Sequence, residues 1–306
     1  MNRYESGMSR FEYRPIIRRP RLELPNGARV ALWVGVNVEH YEPDKPGISI
    51  VSGTAELVPD PLNTGWRDYG PRVGLWRLME VLERHDVPPS VLLNSDVCDR
   101  CPKIIEEGRR RGWAWVGHGK NNSTLQTHMP LAEERRYLTE VVETIERHTG
   151  QRPQGWLGPF LAESPNTPEL LAELGLSYVC DWCNDDQPCP VRVKHGRLIS
   201  VPYSIEVNDV PLFLDKGMSG PDFCQVIVDQ FDALYEAGEA SGQVMAIALH
   251  PFLTGVPFRL RYLDRALEHI SSREGVWLAT GDDIASWYLE RYYDEAVVQT
   301  AAVGQR

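Results

Sequence analysis

Short apolar runs alternate with longer segments of helical spacing along nearly the whole chain. In the first helical segment, Leu75, Leu78, Met79 and Leu82 fall on one face, as expected of a helix that packs on a sheet. Strand candidates lie at 28–39, 90–94, 114–117, 155–158, 177–181, 198–203, 244–250 and 276–280, and helix candidates at 74–85, 103–111, 131–148, 168–174, 222–239, 262–272 and 282–295. This alternation is typical of parallel β/α units and predicts an α/β fold with a closed or nearly closed barrel.

The chain shows no glycine-rich linker and no break in composition, so one barrel domain is expected over residues 29–293. An N-terminal arm over 1–28 and a C-terminal tail over 294–306 are expected to be peripheral. The arm carries apolar side chains near a chain end, namely Phe11, Tyr13, Ile16 and Ile17. Exposed apolar residues in such a position favour docking on a second copy of the chain, which predicts a homo-oligomer.

Composition and charge argue against several classes of function. The 306 residues include 32 Lys and Arg against 43 Asp and Glu, a formal net charge of -11. Such a chain repels polyanions at long range, so no nucleic acid partner is expected. No apolar run approaches the length of about 20 residues that a bilayer requires, so no membrane partner is expected either. The first residues lack the apolar segment of a secretory signal, which predicts a cytoplasmic location.

Polar and ionisable side chains follow nearly every strand candidate, at the end where the loops of a parallel β/α fold converge. They are Asn37, Glu39 and His40 after the first strand, Asn94 after the second, His118 and Asn122 after the third, Asp185 and Asp186 after the fifth, Asn208 and Asp209 after the sixth, and His250 after the seventh. Acid and base groups that meet at one partly dry mouth are what hydrolysis of a stable C–N bond requires. The register of these residues therefore predicts an active site at the mouth of the barrel.

Several short motifs carry a family resemblance that extends from about residue 29 to residue 288. They are NVE at 37–39, RVGLWR at 72–77, GW at 155–156 with SPNT at 164–167, NDDQP at 184–188, PYS at 202–204 with ND at 208–209, and LHP at 249–251. Together they resemble the polysaccharide deacetylase (NodB-like, carbohydrate esterase family 4) superfamily and, within it, the allantoinase-like branch. The resemblance implies a distorted (β/α)7 barrel of the NodB-homology type and hydrolysis of an amide-type bond.

The resemblance also implies catalytic roles for Glu39, His118, His250 and Asp185. Glu39 matches the family's base, and partial burial is expected to raise its pKa. His250 matches the family's acid, which protonates the leaving nitrogen, and His118 is expected to be a metal ligand or an oxyanion donor. Asp185, more than Asp186, is expected to bind polar substrate atoms or to hold a histidine. Trp156 is either an apolar wall of the pocket or a core residue. The side chains expected to contact substrate are Asn94, Asn122, Trp156, Asp186, Asn208 and Asp209.

Three departures from the family pattern bear on metal binding. In the family, the first strand ends in two adjacent aspartates, a base and a metal ligand, where this chain has Glu39 and His40. The metal-binding HxxxH motif is met by His118 and Asn122, so an amide replaces the second histidine, and Leu157 stands where an arginine orients the base. Because an amide oxygen is a weak zinc ligand, two alternatives stay open. Either His40, His118 and Asn122 hold one divalent metal such as zinc, or the site works without metal, as the allantoinase-like branch implies.

Three functions are compatible with these observations. The first is a hydrolase of a non-peptide C–N bond in a small polar molecule such as a ureide, hydantoin or cyclic imide. The second is a metal-dependent N-deacetylase of an acetylated sugar or polysaccharide, which the damaged metal triad disfavours. The third is a small-molecule-binding barrel without catalysis, which the missing arginine favours and the presence of Glu39 and His250 opposes.

Overall fold

The elements of the fold are strands and helices in regular alternation. The computed structural model describes residues 10–303, with side chains through residue 298. The strands are β1 Val30–Val38, β2 Pro89–Leu93, β3 Ala114–Gly117, β4 Gly155–Trp156, β5 Tyr178–Val179, β6 Cys189–Pro190, β7 Ile199–Ser200, β8 Gln243–Leu249 and β9 Val276–Leu278. The helices are α1 Pro61–Tyr69, α2 Leu75–Arg84, α3 Asp96–Arg100, α4 Pro102–Arg111, α5 Leu131–Thr149, α6 Thr167–Glu173, α7 Gly220–Ala237, α8 Pro257–Ser271, α9 Gly281–Arg291 and α10 Tyr293–Val303.

One curled sheet contains all nine of these strands, in the order β6-β7-β5-β4-β3-β2-β1-β8, with β9 paired to the first residues of β1. Every strand pair is parallel except β6–β7. A parallel bridge between Asn208 and Ala248 brings the segment after β7 alongside β8, so the sheet curls toward closure. This architecture confirms the expected α/β fold of the NodB-like barrel type.

Strand β1 shows why the apolar runs are continuous. All nine of its residues are buried, and they alternate between two apolar layers. Val34 and Val36 pack in the larger layer against the helices, whereas Ala31 and Trp33 belong to a second layer inside the curl. A strand covered on both faces has no polar side, which explains the unbroken apolar pattern.

The segment before α2 was not expected to be helical, but it contains α1 and a π-helical turn over Gly70–Gly74. Asp60 caps α1 by accepting a hydrogen bond of 3.1 Å from the backbone N–H of Asn63, and Pro61 occupies the first helical position. The nine residues include Pro61 and Gly65, two poor helix formers, and four polar or charged side chains, so local propensity does not indicate this helix. The turn matters for function because Gly70 and Pro71 lie beside Glu39.

The two ends of the chain were expected to be peripheral. Near the first end, the ring of Phe11 packs on Trp182 with centroids 5.3 Å apart, while Tyr13 and Ile17 are 88% and 84% exposed. Near the other end, residues 293–303 form α10. The division into arm, barrel and tail, and the docking of the arm on a second copy, stay predictions. Within residues 10–303, no helix combines the length and apolarity needed to cross a membrane.

Candidate active site

Three of the residues expected to be catalytic meet at the carboxyl ends of the central strands. Glu39 follows β1, His118 follows β3 and His250 follows β8. Glu39 Oε1 lies 3.3 Å from Nε2 of His118 and 3.5 Å from Nε2 of His250. The three side chains are only 4%, 2% and 9% exposed. The structure thus encloses one carboxylate between two imidazoles, away from bulk water.

The imidazole of His118 is held from behind by the backbone of the next strand. Its Nδ1 lies 2.7 Å from the carbonyl oxygen of Leu157. Because a carbonyl oxygen only accepts, Nδ1 donates to it and carries a proton. Gly119 follows with φ 66°, a left-handed conformation that turns the chain sharply after the histidine. The backbone thus fixes the direction of the ring, and Nε2 faces the carboxylate of Glu39.

Two further donors hold the carboxylate of Glu39. Asn122 Nδ2 donates to Oε1 at 2.7 Å, and the hydroxyl of Tyr41 donates to Oε2 at 2.9 Å. Burial by itself raises the pKa of Glu39, but His250 and His118 oppose it and hold that pKa well below its usual range. The expectation of a raised pKa is therefore wrong, because the opposite charge beside the carboxylate outweighs its desolvation.

His250 is paired on its other side with Asp209. Nδ1 of the ring lies 2.6 Å from Oδ1 of Asp209, whose Oδ2 accepts the backbone N–H of His250 at 2.8 Å and the Thr254 hydroxyl at 2.6 Å. Burial lowers the pKa of His250, yet the carboxylates of Asp209 and Glu39 more than compensate and raise it to about 10. At neutral pH the site therefore contains an ionised Glu39 and a protonated His250, a base and an acid in contact.

Asp209 and Asn208 were expected to contact substrate, and the structure places both behind the site instead. Asp209 is fully buried, and its carboxylate is occupied by His250 and Thr254. Asn208 is 4% exposed and its side-chain oxygen accepts the backbone N–H of Val210 at 3.0 Å. Holding a histidine, a role expected of Asp185, is thus performed by Asp209.

Asp185 and Asp186 are not brought to the site. Both oxygens of Asp185 bind Arg19, at 2.6 and 2.5 Å. Asp186 is exposed, and its carbonyl oxygen accepts the backbone N–H of Val244 at 2.9 Å, near the beginning of β8. His250 lies at the opposite end of that strand, about 20 Å away at about 3.3 Å per residue. The chain after β5 therefore leaves the mouth and runs along β8, which local sequence does not reveal.

Asn94 and Trp156 also lie outside any substrate surface. Asn94 is fully buried, accepts the backbone N–H of His40 at 2.8 Å, and donates to the carbonyl oxygen of His118 and to Oδ1 of Asn122. It ties together the loops after β1, β2 and β3. Trp156 is fully buried in the apolar layer under the helices, as a core residue. A strand of two residues does not show which face a side chain takes.

The side chains present do not fit the metal triad that the resemblance implies. The ring of His40 approaches Glu42, with Nε2 3.8 Å from its carboxylate, and burial lowers the pKa of His40. Asn122 presents its NH2 group to Glu39, while its oxygen accepts from Asn94. In residues 10–298, no group of three His, Cys, Asp or Glu side chains is placed to hold a metal ion. The expected set of His40, His118 and Asn122 is therefore not assembled.

Some residues of the site were not anticipated from the sequence. Tyr41 lies two positions after Glu39 and both donates to it and accepts from Asn122 at 3.2 Å. Arg67 stacks over the Tyr41 ring at 5.0 Å. A tyrosine two residues beyond a catalytic carboxylate is a signal that could have been noticed. Arg67 could not, because only the fold brings α1 to the mouth.

Comparisons with known proteins place this chain in a family. A profile named polysaccharide deacetylase matches residues 67–179. A Schizosaccharomyces pombe protein, named "Putative polysaccharide deacetylase", is 31% identical over 88% of this chain and 93% of its own. The crystal structure of a "probable Polysaccharide deacetylase" from Pseudomonas aeruginosa PAO1 has a TM-score of 0.82 and 29% identity, covering 90% of this chain and 96% of that one. The crystal structure of "Puue Allantoinase" has a TM-score of 0.80 and 27% identity, covering 90% and 95%.

The relatives and solved structures match most of their own length as well as most of this chain, so the likeness concerns the whole barrel. The motifs quoted from the sequence and the curled parallel sheet point the same way. The chain therefore belongs to the polysaccharide deacetylase family, whose NodB-like barrels support hydrolysis of non-peptide C–N bonds.

Proposed function

We propose that this chain hydrolyses the C–N bond of a small cyclic amide, ureide or imide by attack of water on the carbonyl carbon. The observation that carries the proposal is the contact of one ionised carboxylate with two imidazoles, within 3.5 Å of each. His250 is the acid of this set because Asp209 keeps it protonated. Glu39 is the base, and Nε2 of His118 faces the same small volume.

The proton transfers follow from these positions. A water held against Nε2 of His118 donates a hydrogen bond to Glu39, which takes that proton as the water oxygen attacks the carbonyl carbon. The Nε2–H of His250 binds the substrate and then gives its proton to the leaving nitrogen. Once the product has left and the two side chains are again 3.5 Å apart, the proton on Glu39 returns to His250, so the net reaction consumes only water and the amide.

The low pKa of Glu39 belongs to the protein without substrate. A base works best when its pKa is near the working pH, whereas contact with His250 keeps the pKa of Glu39 well below it. A substrate amide inserted between the two side chains separates the opposite charges. The pKa of Glu39 then rises, which makes it a stronger base when the substrate is bound.

Enclosure of the site supports a small substrate. The three side chains are almost fully buried, and the neighbouring cavity, lined by Asn37, Gly70, Pro71 and Phe252, has a volume of only about 10 Å³, so its walls must move apart before a substrate enters. A polysaccharide requires an open groove along which several sugar rings can lie. The likeness to a structure named allantoinase supports the same class of substrate.

The proposal is tested by incubating the purified protein with allantoin, hydantoins, cyclic imides and N-acetylated sugars, each with and without a strong chelator. We expect turnover of a ring amide that is unchanged by chelation. Release of acetate from an N-acetylated sugar, abolished by chelator and restored by zinc, would instead establish the deacetylase. Turnover of neither class would favour the binding barrel.

A further inference from the structure

A second pair of acidic side chains lies beside the site, and the mechanism does not use it. Asp181 follows β5 and is 8% exposed, and Glu163 lies in the loop after β4. The two carboxyl groups lie close enough for each to shift the pKa of the other. Oδ1 of Asp181 accepts the backbone N–H of Gly158 at 2.6 Å, and Oε2 of Glu163 accepts the indole N–H of Trp182 at 3.2 Å.

The other two oxygens of the pair require a proton. Oδ2 of Asp181 and Oε1 of Glu163 are both buried, and neither receives an N–H or O–H from any described residue. Two carboxylates only accept hydrogen bonds, so adjacent buried oxygens are stable when one proton lies between them. In agreement, burial and the neighbouring carboxyl raise the pKa of Asp181 well above its usual range, and burial also raises that of Glu163.

One peptide group connects this pair to the active site. The N–H of Gly158 that binds Asp181 and the carbonyl of Leu157 that binds His118 belong to the same peptide unit. A peptide unit is planar and rigid, so fixing its N–H fixes the direction of its carbonyl. Hydrogen bonds at both ends also polarise it and strengthen each other. The carboxyl of Asp181 is therefore coupled to the imidazole of His118 through two hydrogen bonds, of 2.6 and 2.7 Å.

We infer that Asp181 and Glu163 form a positioning pair for His118. They share one proton, and Asp181 holds the peptide whose carbonyl oxygen fixes the tautomer and direction of the imidazole. The inference rests on the proposed function, in which His118 orients the attacking water. It extends that function by giving a positioning role to two residues that do not touch the substrate.

The shared proton predicts that an asparagine can replace Asp181 with little loss of activity. Asp181→Asn retains an oxygen for the Gly158 N–H and supplies an NH2 donor to Glu163, so it reproduces the proton-sharing pair. We expect kcat within about threefold of the native value. Asp181→Ala removes the anchor of the peptide, and kcat should fall by about 10- to 100-fold, as is common when the partner that orients a histidine is removed.

Nitrogen-15 NMR of histidine-labelled protein supplies a readout that does not depend on turnover. His118→Gln identifies the resonances of that ring. Asp181→Ala should shift the Nδ1 and Nε2 resonances of His118, and Asp181→Asn should leave them close to native. The control is Asp282→Ala, which removes a partly buried carboxyl, the partner of the Tyr178 hydroxyl at 2.8 Å, without touching the Leu157–Gly158 peptide. Neither kcat nor the His118 resonances should change in the control.

The outcomes separate the inference from the proposed function. Native His118 resonances in Asp181→Ala would overturn the coupling, whatever the substrate proves to be. An equal loss of kcat in Asp181→Asn and Asp181→Ala would overturn the shared proton, because an ionised carboxylate would then be required. If Asp181→Ala does not fold, Asp181→Val, which fills nearly the same space without an acceptor for the Gly158 N–H, is measured in its place, and the same shift of the His118 resonances is expected. If no amide is hydrolysed by the native protein, the proposed function fails while the NMR comparison still decides the inference.

Discussion

Replacing Asp209 with asparagine removes the charge behind His250 while preserving the size of the side chain. In the native protein the carboxylate accepts three hydrogen bonds, including one of 2.6 Å from Nδ1 of His250. An asparagine can accept with its oxygen, but its NH2 group cannot face a protonated nitrogen. The variant therefore favours loss of the Nδ1 proton or rotation of the ring.

The magnitude follows from the pKa of His250. The rise from its ordinary value of 6.5 to about 10 corresponds to about 5 kcal/mol in favour of the imidazolium, shared between Asp209 and Glu39. Removing one of these two charges should lower the pKa of His250 by about 1 to 3. In an Asp–His pair of this type, an Asp→Asn change can leave the histidine in the wrong tautomer, which lowers kcat by up to about 10⁴-fold. We expect a decrease of about 10²- to 10⁴-fold.

The same pairing links stability to pH. Because the pKa of His250 is higher in the folded protein than in the unfolded chain, its stabilisation is fully present below pH 6.5 and is lost as pH rises toward 10. Asp209→Asn should lower the free energy of unfolding by about 3 kcal/mol at pH 7, as expected when a buried ion pair loses one partner. The difference between the two free energies of unfolding should narrow as pH rises from the lowered pKa of His250 in the variant toward 10, because in that range only the native His250 keeps its proton.

Three measurements check this reasoning: kcat across pH on the substrate found in the amide panel, urea unfolding at pH 7 and pH 10, and NMR titration of His250. The control is Asp232→Asn, which alters another Asp–His pair, with His269 at 2.8 Å, on the helical surface. A His250 that still titrates near pH 10 in Asp209→Asn, or a kcat within twofold of native, would refute the account of the site.

Three further substitutions have definite expectations. In Glu39→Gln the side chain cannot accept a proton, so kcat should fall by about 10²- to 10⁴-fold. A substrate analogue should still bind within about threefold of native in calorimetry, and weaker binding with native kcat would contradict this. Asp185→Asn breaks the pair with Arg19, so the free energy of unfolding should fall by about 1.5 to 3 kcal/mol with kcat unchanged, and a tenfold loss of kcat would return Asp185 to the active site. In Gly158→Ala the new Cβ would lie 2.3 Å from the carbonyl oxygen of Ala162, so Tm should fall by an amount equivalent to about 1 to 3 kcal/mol; a native Tm would show that the loop can relax.

Most of the fold could be predicted because its local patterns were strong. The apolar run at 28–39 became β1, the segment 74–85 became α2, and 131–148 became α5 almost residue for residue. The predicted strands at 155–158 and 198–203 were reduced to two paired residues each, because pairing depends on a neighbouring strand and not on apolar character alone. Helix α1, which contains the poor helix formers Pro61 and Gly65, was missed.

The candidate site was predictable only in part. Glu39, His118 and His250 each stand directly after a recognisable strand, and parallel strands of one sheet end on the same side. Their convergence follows from the alternation of elements and from the family motifs. The sequence located Asp209 near the site but did not reveal its role, since no local feature shows which of several carboxylates reaches a histidine.

The sequence by itself determined the alternation of strands and helices, and therefore which residues stand at the mouth of the barrel. Only the tertiary structure decided that Asp209 pairs with His250 and Asp185 with Arg19, because the path of a loop depends on contacts far apart along the chain. It also decided the charge of the site. Burial alone would have raised the pKa of Glu39, and the approach of His250 from another strand reversed the direction, since a close opposite charge outweighs desolvation.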